Sequence, residues 1–228
     1  MLYNKNMERL EKVIAHRGLA SRREAKDLIV RGMVTVNGAV VHIPGYAVNA
    51  TDAIVAHTDN KETYLVYKPR GIETTKTTAH ARDLRDQLKE LAHLFPIGRL
   101  DKESEGLILM STDGTLTKAL TQKGSHVGKT YRVTVQENIT DNALERMRRG
   151  IKLADGITLP AQTSRISRRV FEITLYEGRK HQIRRMADAC GLTIESLVRI
   201  AIGHLTLGTL KPGQYRKLTQ ADTAKLKR

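Results

Sequence analysis

The strongest constraint on the fold lies in residues 96–110, where a polar run between two glycines is followed by an uninterrupted apolar run. Gly98 and Gly106 bracket the polar run, whose charged side chains exclude it from a regular core. Leu107-Ile108-Leu109-Met110 then predicts a short buried strand. Because Asp101 lies in the polar run, the pattern predicts a carboxylate on a loop beside a rigid strand. Many scaffolds present a reacting group in this way.

A lone aspartate in such a loop also has an ordinary structural explanation. It commonly caps a turn or pairs with a neighbouring arginine, and Arg99 is two residues from Asp101. Reactive carboxylates are the exception among aspartates. The interpretation of Asp101 as a functional group therefore depends on the rest of the chain.

The composition of the chain points to a polyanionic partner. Its 228 residues include 39 Lys and Arg against 24 Asp and Glu, a net charge of +15, which favours nucleic acid first and a membrane surface second. The length allows one large or two smaller domains. Residues 1–62 carry a net charge of +2 and residues 63–228 carry +13. The second part is therefore expected to provide most of the electrostatic attraction.

Other features of the sequence disfavour several classes of protein. Cys190 is its one cysteine, which predicts neither a disulfide framework nor a zinc site and favours a reducing compartment. His126, His181 and His204 are scattered, so no metal site is predicted. No glycine-rich loop indicates a nucleotide cofactor, and no apolar run or signal-peptide pattern indicates a membrane. We expect a cytoplasmic protein that needs no cofactor.

The first sixty residues have the pattern of two short helices followed by a hairpin. Residues 10–14 have apolar side chains at helical spacing, and Ser21-Arg22-Arg23-Glu24 fits a capping box for a second helix over residues 22–30. Within residues 34–41, Asn37-Gly38 provides a two-residue turn between β-branched runs.

This order of elements resembles the RNA-binding module of a small-subunit ribosomal protein over about residues 7–56. The resemblance implies that the second helix and the hairpin face RNA, with Arg22, Arg23 and Lys26 at basic positions of that surface. A solvated helix face is an equal alternative, because three surface cations in one helix are common. Residues 57–62 are polar and unpatterned and predict a linker.

The second part of the chain alternates strands with helices. Strands are predicted over residues 64–67, 107–110, 129–135, 170–176 and 196–203, and helices over residues 81–93, 116–120, 140–149 and 181–190. Lys68-Pro69-Arg70-Gly71 follows the first strand and predicts a turn, because proline cannot continue a β-ladder. A block of cations surrounds the start of the last helix, namely Arg179, Lys180, Arg184 and Arg185.

Four of these segments together resemble pseudouridine synthases that act on ribosomal RNA. They are Gly98-Arg99-Leu100-Asp101 with the strand after Gly106, Lys68-Pro69-Arg70-Gly71, Lys129-Thr130-Tyr131, and Gln182-Ile183-Arg184-Arg185-Met186. The resemblance covers nearly the whole chain. It implies that Asp101 is the catalytic nucleophile, that the ring of Tyr131 packs on the target base and that Arg184 pairs with Asp101.

The same resemblance places Leu197 near the base, although an ordinary core position is an equal alternative for this leucine. For Tyr131 taken alone, the alternative is a core tyrosine with its hydroxyl at the edge. The other cations at the matching segments are expected to contact RNA phosphates. They are Lys68, Arg70, Arg99, Arg179, Lys180 and Arg185.

The implied pairing of Asp101 with Arg184 is chemically reasonable. A carboxylate nucleophile has to be ionised, and burial in a base-binding cavity would raise its pKa above the reference value of about 3.9. A nearby guanidinium opposes that rise. It also keeps its charge at any working pH and can hold the carboxylate through two bonds.

We therefore expect an α+β protein in two parts. Residues 1–60 form a small RNA-binding module and linker, and residues 61–228 form a pseudouridine synthase domain with a mostly antiparallel mixed sheet and flanking helices. The implied reaction isomerises a uridine in ribosomal RNA, with the large subunit favoured. The alternatives are a non-catalytic RNA-binding ribosome-assembly factor and a synthase acting on transfer RNA. The sequence does not decide whether Asp101 attacks the sugar or the base. It also leaves open whether the substrate is free RNA or an assembling ribosomal subunit. We expect a monomer.

Overall fold

Most of the chain is organised around one mixed β-sheet, and a smaller helical module precedes it in the sequence. The computed structural model describes residues 7–57, 61–75, 82–122 and 124–226. The strands are β1 (Glu8–Arg9), β2 (Val34–Val36), β3 (Ala39–Val40), β4 (Ala47–Val48), β5 (Ile54–Ala56), β6 (Thr63–Lys68), β7 (Phe95–Ile97), β8 (Glu105–Ser111), β9 (Lys129–Val135), β10 (Lys152–Leu153), β11 (Gly156–Ile157), β12 (Gln162–Arg165), β13 (Val170–Leu175), β14 (Ile194–Ile202), β15 (Leu205–Thr206) and β16 (Tyr215–Lys217). The helices are α1 (Leu10–His16), α2 (Arg22–Val30), α3 (Leu84–Gln87), α4 (Gly114–Thr121), α5 (Asp141–Arg149), α6 (Gln182–Asp188) and α7 (Gln220–Lys225), with a 3-10 turn over Lys89–Leu91.

The amino-terminal module has the predicted local structure. Ser21 and Glu24 form the capping box of α2, with the Ser21 side chain accepting from the Glu24 amide and the Glu24 side chain accepting from the Ser21 amide. The β2–β3 hairpin turns at Asn37 and Gly38, both of which have positive φ. An apolar core of α1, α2 and the hairpin strands holds the module together.

The large sheet runs in the order β12-β13-β9-β14-β8-β6-β16, with β15 added to β14 and β7 added to β8. Among the described strands, β8 and β14 form its one parallel pair, and every other pairing in this sheet is antiparallel. The expected mostly antiparallel mixed sheet is thus confirmed. The parallel pair brings the strand after the Asp101 loop next to a strand more than 80 residues later in the chain.

The apolar run of β8 is buried on both faces of the sheet. Leu107 and Leu109 join the cluster formed with α4 and α7, whereas Ile108 and Met110 join the cluster formed with α3 and the 3-10 turn. This alternation follows from the two-residue period of a strand. All four side chains are fully buried, so β8 gives the loop before it a rigid support.

The helix predicted over residues 81–93 is shorter and broken, and Ala81 lies outside the described residues. Asp83 caps α3 by accepting from the amides of Arg85 and Asp86, and the chain then leaves helical geometry at Leu88 (φ −112°, ψ 68°). The break turns the apolar side chains of the segment onto the sheet. The last predicted helix also begins one residue late, because His181 has a left-handed conformation (φ 53°).

The module contacts the rest of the protein at the first turn of α4. Lys118 Nζ donates to the carbonyl oxygen of His16 at 3.2 Å, and the Thr115 hydroxyl donates to the carbonyl oxygen of Gly18. Gly114 packs directly against the backbone of Ala20 and Ser21, leaving no room for a side chain. These contacts join α4 to the loop that precedes α2. The three residues of the expected linker at 58–60 lie outside the described residues.

Candidate active site

Asp101 lies on a loop between β7 and β8 whose backbone is held at several points. The Thr74 hydroxyl donates to the carbonyl oxygen of Leu100 at 2.7 Å and accepts from the Leu100 amide at 3.0 Å. The Gly71 amide donates to Lys102, and the Ser104 amide donates to Asp101 itself. One segment distant in sequence, residues 71–74, therefore fixes the loop, and the carboxylate does not depend on its own contacts for its position.

Gly106, at the end of this loop, is required by a close approach of two strands. Its φ is +105°, and a Cβ at this position would lie 2.7 Å from the backbone nitrogen of Arg199 on β14. Such a distance is well inside van der Waals contact. Gly98, at the other end, also has positive φ (+75°) but has open space around it.

The Asp101 carboxylate is half-exposed, with 42% of its side chain accessible. Its Oδ1 lies 3.6 Å from Nε2 of His181, directly before α6. Within the described ranges, the ion partner of Asp101 is thus His181, a residue to which the sequence assigned no role. The left-handed backbone of His181 is the feature that distinguishes it, and sequence pattern does not reveal such a conformation in a non-glycine residue.

The implied ion pair between Asp101 and Arg184 is not formed among the described residues. Arg184 lies on α6 and its Nη2 donates to the carbonyl oxygen of Glu103 at 2.8 Å. The guanidinium therefore reaches the Asp101 loop, but it holds the backbone two residues beyond the carboxylate. The reason is local: the carboxylate is directed towards His181, at the start of the same helix.

Tyr131 is in the middle of β9 and is partly buried between two core clusters. It pairs with Ile173 on one side and with Arg199 on the other. The guanidinium carbon of Arg199 lies 6.0 Å from the centroid of the Tyr131 ring, within the range of a cation–π contact. Arg199 was not predicted as a site residue; the sequence predicted only that it lies in the strand over residues 196–203.

Lys68 does not fit its expected role as a phosphate contact, because its side chain has 0% exposure. Its Nζ donates to the carbonyl oxygens of Pro69 and Ile72 at 2.9 and 2.6 Å. Burial lowers the pKa of Lys68 from 10.5 to about 8; the charge of Arg199 adds to the effect, and the carboxylates of Glu105, Asp101 and Glu103 oppose it. Lys68 is thus a buried cation behind the Asp101 loop.

We expect the burial of Lys68 to appear as a pH dependence of stability. The folded protein releases this proton near pH 8 and the unfolded chain near 10.5, so the unfolded chain holds more protons between those values. The free energy of unfolding should therefore rise by up to about 3 kcal/mol across this window. Urea unfolding of the wild type and of Lys68→Met at several pH values measures it, since the variant lacks this rise. Parallel pH profiles for the two proteins would contradict the assignment.

Arg179 and Arg185 were expected to bind phosphate, but both are occupied by acceptors of the protein. Arg185 forms two hydrogen bonds with the carboxylate of Asp155, at 2.8 and 3.0 Å. Arg179 pairs with Glu177 and donates to backbone carbonyls of residues 155–157. The two arginines therefore attach the β10–β11 hairpin to the start of α6, and the side chain of Asp155 takes the place foreseen for a phosphate.

The remaining predicted RNA contacts lie mostly on the surface. Arg70 is exposed but pairs with Glu103 at 3.1 Å and donates to the carbonyl of Glu195. Leu197, in contrast, is buried in the core formed with α5 and α6, which favours the core alternative over a base contact. The fully exposed cations of the set are Arg22, Arg23, Lys26, Arg99 and Lys180.

Two further features of the described residues concern metal ions and membranes. No group of three or more His, Cys, Asp or Glu residues with metal-binding geometry occurs in the part of the chain that the structure describes. None of the described helices combines the length and the hydropathy needed to cross a membrane.

The candidate site is thus a half-exposed carboxylate on a loop held by backbone contacts, in a chain with a net charge of +15. A family model described as RNA pseudouridylate synthase matches residues 62–189, and one described as the S4 domain matches residues 8–54. The chain belongs to the RNA pseudouridylate synthase family, which makes it an isomerase. The resemblance seen in the sequence is thereby confirmed.

Known relatives match almost the full length of the chain. It is 36% identical to ribosomal large subunit pseudouridine synthase B of Bacillus subtilis (strain 168), over 97% of this chain and 96% of that protein. It is 33% identical to the dual-specificity RNA pseudouridine synthase RluF of Escherichia coli O6:H1, over 94% of this chain and 76% of that protein. A crystal structure of a pseudouridylate synthase superposes with a TM-score of 0.74 at 28% identity, covering 96% and 99% of the two chains.

Proposed function

We propose that the protein isomerises one uridine of ribosomal RNA to pseudouridine, with large-subunit RNA as the favoured substrate. The observation that carries the proposal is the half-exposed Asp101 carboxylate, held on a rigid loop and facing His181. The name of the Bacillus subtilis relative, ribosomal large subunit pseudouridine synthase B, supports ribosomal RNA as the substrate class.

The reaction breaks the bond between uracil N1 and ribose C1′, turns the uracil and joins C5 to C1′. N1 gains a proton and C5 loses one, so no redox step and no energy source is required. The target uridine has to leave its stack to be reached, which costs about a few kcal/mol. Asp101 then adds covalently either to ribose C1′, displacing uracil N1, or to the uracil ring. The bond to Asp101 breaks again before the product leaves, and both routes end in the same product.

The other site residues orient the reactants in this proposal. Tyr131 supports the displaced base with its ring, and the Arg199 guanidinium packs on that ring. Arg184 secures the loop through the carbonyl oxygen of Glu103. His181 lies beside the Asp101 carboxylate, with its Nε2 3.6 Å from Oδ1.

We propose that the chain is divided at about residue 60 into two parts. Each part has its own RNA-facing surface. The family matches to residues 8–54 and 62–189 support that division. The exposed Arg22, Arg23 and Lys26 on α2 would orient the RNA, whereas the larger positive charge of the second part would provide most of the affinity. Because this attraction is to phosphates, the affinity should fall as the salt concentration rises.

The experiment that tests the proposal compares pseudouridine maps of ribosomal and transfer RNA from cells with and without the protein. We expect the loss of one pseudouridine, or of a few clustered ones, from large-subunit RNA. Restoring the wild-type chain should restore the modification. A loss confined to transfer RNA would overturn the ribosomal assignment and favour the transfer-RNA alternative. Unchanged maps of both RNAs would favour a non-catalytic ribosome-assembly factor.

A further inference from the structure

One buried arginine connects the two ends of the Asp101 loop. Arg199 on β14 is only 4% exposed. Its Nε donates to the carbonyl oxygen of Leu107 at 2.6 Å, and its Nη1 donates to the carbonyl oxygen of Arg99 at 3.5 Å. These two carbonyls lie on either side of Asp101, one before the loop and one after it. A single guanidinium thus closes the nine-residue segment from 99 to 107 that contains the carboxylate.

The same guanidinium also contacts the second residue of the site. It lies 6.0 Å from the centre of the Tyr131 ring, and the backbones of Arg199 and Tyr131 are paired across β14 and β9. The planar group of an arginine can donate in two directions while stacking on an aromatic face, which an ammonium group cannot do. The Arg199 side chain therefore contacts both the Asp101 loop and Tyr131.

The stability of the fold does not explain why this position holds a charge. Nη2 of Arg199 is buried and has no hydrogen-bond partner among the described residues, and such an orphan donor is unfavourable. Two more cations, Lys68 and Lys129, lie close enough that Arg199 contributes to lowering the pKa of each, after the larger effect of burial. An apolar side chain of similar volume often stabilises such a position more than a buried charge does. The unfavourable burial of this charged side chain points to a role in the reaction.

We propose that Arg199 is a positioning residue for the uridine isomerisation, which sets the distance between the Asp101 loop and the Tyr131 ring. This inference rests on the proposed function. Arg199 does not touch the reacting atoms; it acts through the backbone of the loop and through the face of the ring. Loss of the Arg199 side chain would leave the RNA-facing cations in place. It would, however, allow the Asp101 carboxylate and the Tyr131 ring to move independently of each other. A misplacement of about 1 Å can lower a rate about 100-fold.

The test uses Arg199→Ala in the full chain, assayed with the RNA that wild type modifies. We expect the single-turnover rate at saturating protein to fall about 100-fold, while the dissociation constant for the same RNA changes less than about threefold. Guanidinium ion at low, non-denaturing concentration should restore at least a tenth of the lost rate, because it can refill the vacated space and donate to both carbonyls. Potassium chloride at equal ionic strength should not restore it.

Arg132→Ala is the matched control. Arg132 is an exposed arginine beside Tyr131 on β9 that pairs with Glu172, and its loss should leave the rate unchanged and insensitive to guanidinium. Rates are referred to the folded fraction measured by circular dichroism. If Arg199→Ala does not fold, Arg199→Lys takes its place, because lysine keeps the charge but cannot reach both carbonyls; its rate should then fall at unchanged RNA affinity.

Three outcomes would overturn the inference. The first is a variant rate within threefold of wild type. The second is a loss of rate that follows the loss of RNA affinity, and the third is a loss that guanidinium does not reverse in a folded Arg199→Ala protein. Failure of the proposed function is distinguishable, because it would be seen in the wild-type chain as the absence of pseudouridine in any ribosomal RNA, and the inference would fail with it.

Discussion

Asp101→Asn is expected to abolish pseudouridine formation, with the rate lowered at least about 1,000-fold, while RNA binding is retained. The amide is similar in size to the carboxylate, so the loop contacts of Thr74 and Gly71, which involve the backbone of neighbouring residues, are unaffected. What is lost is the nucleophile, and the removal of a covalent catalyst has effects of this size or larger. The measurement is single-turnover formation of pseudouridine in ribosomal RNA, together with a binding assay on the same RNA.

Asp188→Asn provides a control for this variant, because Asp188 is an exposed aspartate at the end of α6. It removes one negative charge, as Asp101→Asn does, so a general effect of charge on RNA binding should be similar in the two variants. Turnover by Asp101→Asn at a rate near that of the control would show that another group is the nucleophile.

Gly106→Ala is expected to have the largest effect on folding. A Cβ at this position would lie 2.7 Å from the backbone nitrogen of Arg199, and the residue has φ +105°. Neither the contact nor the conformation can relax cheaply, because the obstacle is the backbone of a central strand rather than the end of a flexible side chain. We expect the free energy of unfolding to fall by about 3 kcal/mol or more. Urea unfolding followed by circular dichroism measures this loss.

Gly98→Ala separates the two causes of that loss. Gly98 has a similarly positive φ (+75°) at the opposite end of the same loop, but nothing lies within 4 Å of its added Cβ. Its replacement should cost only about 1 kcal/mol, from backbone conformation alone. If the two variants were equally stable, the close packing of β8 against β14 would not be the reason for the glycine at 106.

The sequence predicted best the features that depend on residues close together in the chain. The capping box of Ser21 and Glu24, the Asn37-Gly38 turn and the buried run of β8 all follow from spacing and residue type within about eight positions. The loop that carries Asp101 was predicted in the same way. A polar run between two glycines, followed by an apolar run, is compatible with few structures other than a loop leading into a buried strand.

The sequence predicted least well the partners of the charged residues. A lysine or arginine in a run of cations was expected to meet phosphate. Lys68 is buried instead, Arg185 is bound to Asp155, and Arg184 reaches the Glu103 carbonyl rather than Asp101. These partners lie up to about 80 residues away along the chain, and only the folded sheet brings them together. Spacing within one segment contains no information about such distant partners.

Arg199 and His181 were missed for the same reason. Arg199 lies in the strand predicted over residues 196–203, and it is buried although its side chain is charged. Its importance comes from the loop and the tyrosine on the two neighbouring strands, β8 and β9. His181 comes close to Asp101 only because its backbone adopts a left-handed conformation before α6.

The parallel pairing of β8 with β14 has a consequence for the time at which the enzyme becomes competent. Val198 and Arg199 dock beside Glu105 and Gly106, so the segment bearing the acid is secured only after nearly nine-tenths of the polypeptide has left the ribosome. Contacts over such separations form late in folding. The residues of the amino-terminal module are thus all synthesised well before the Asp101 loop can be fixed in place.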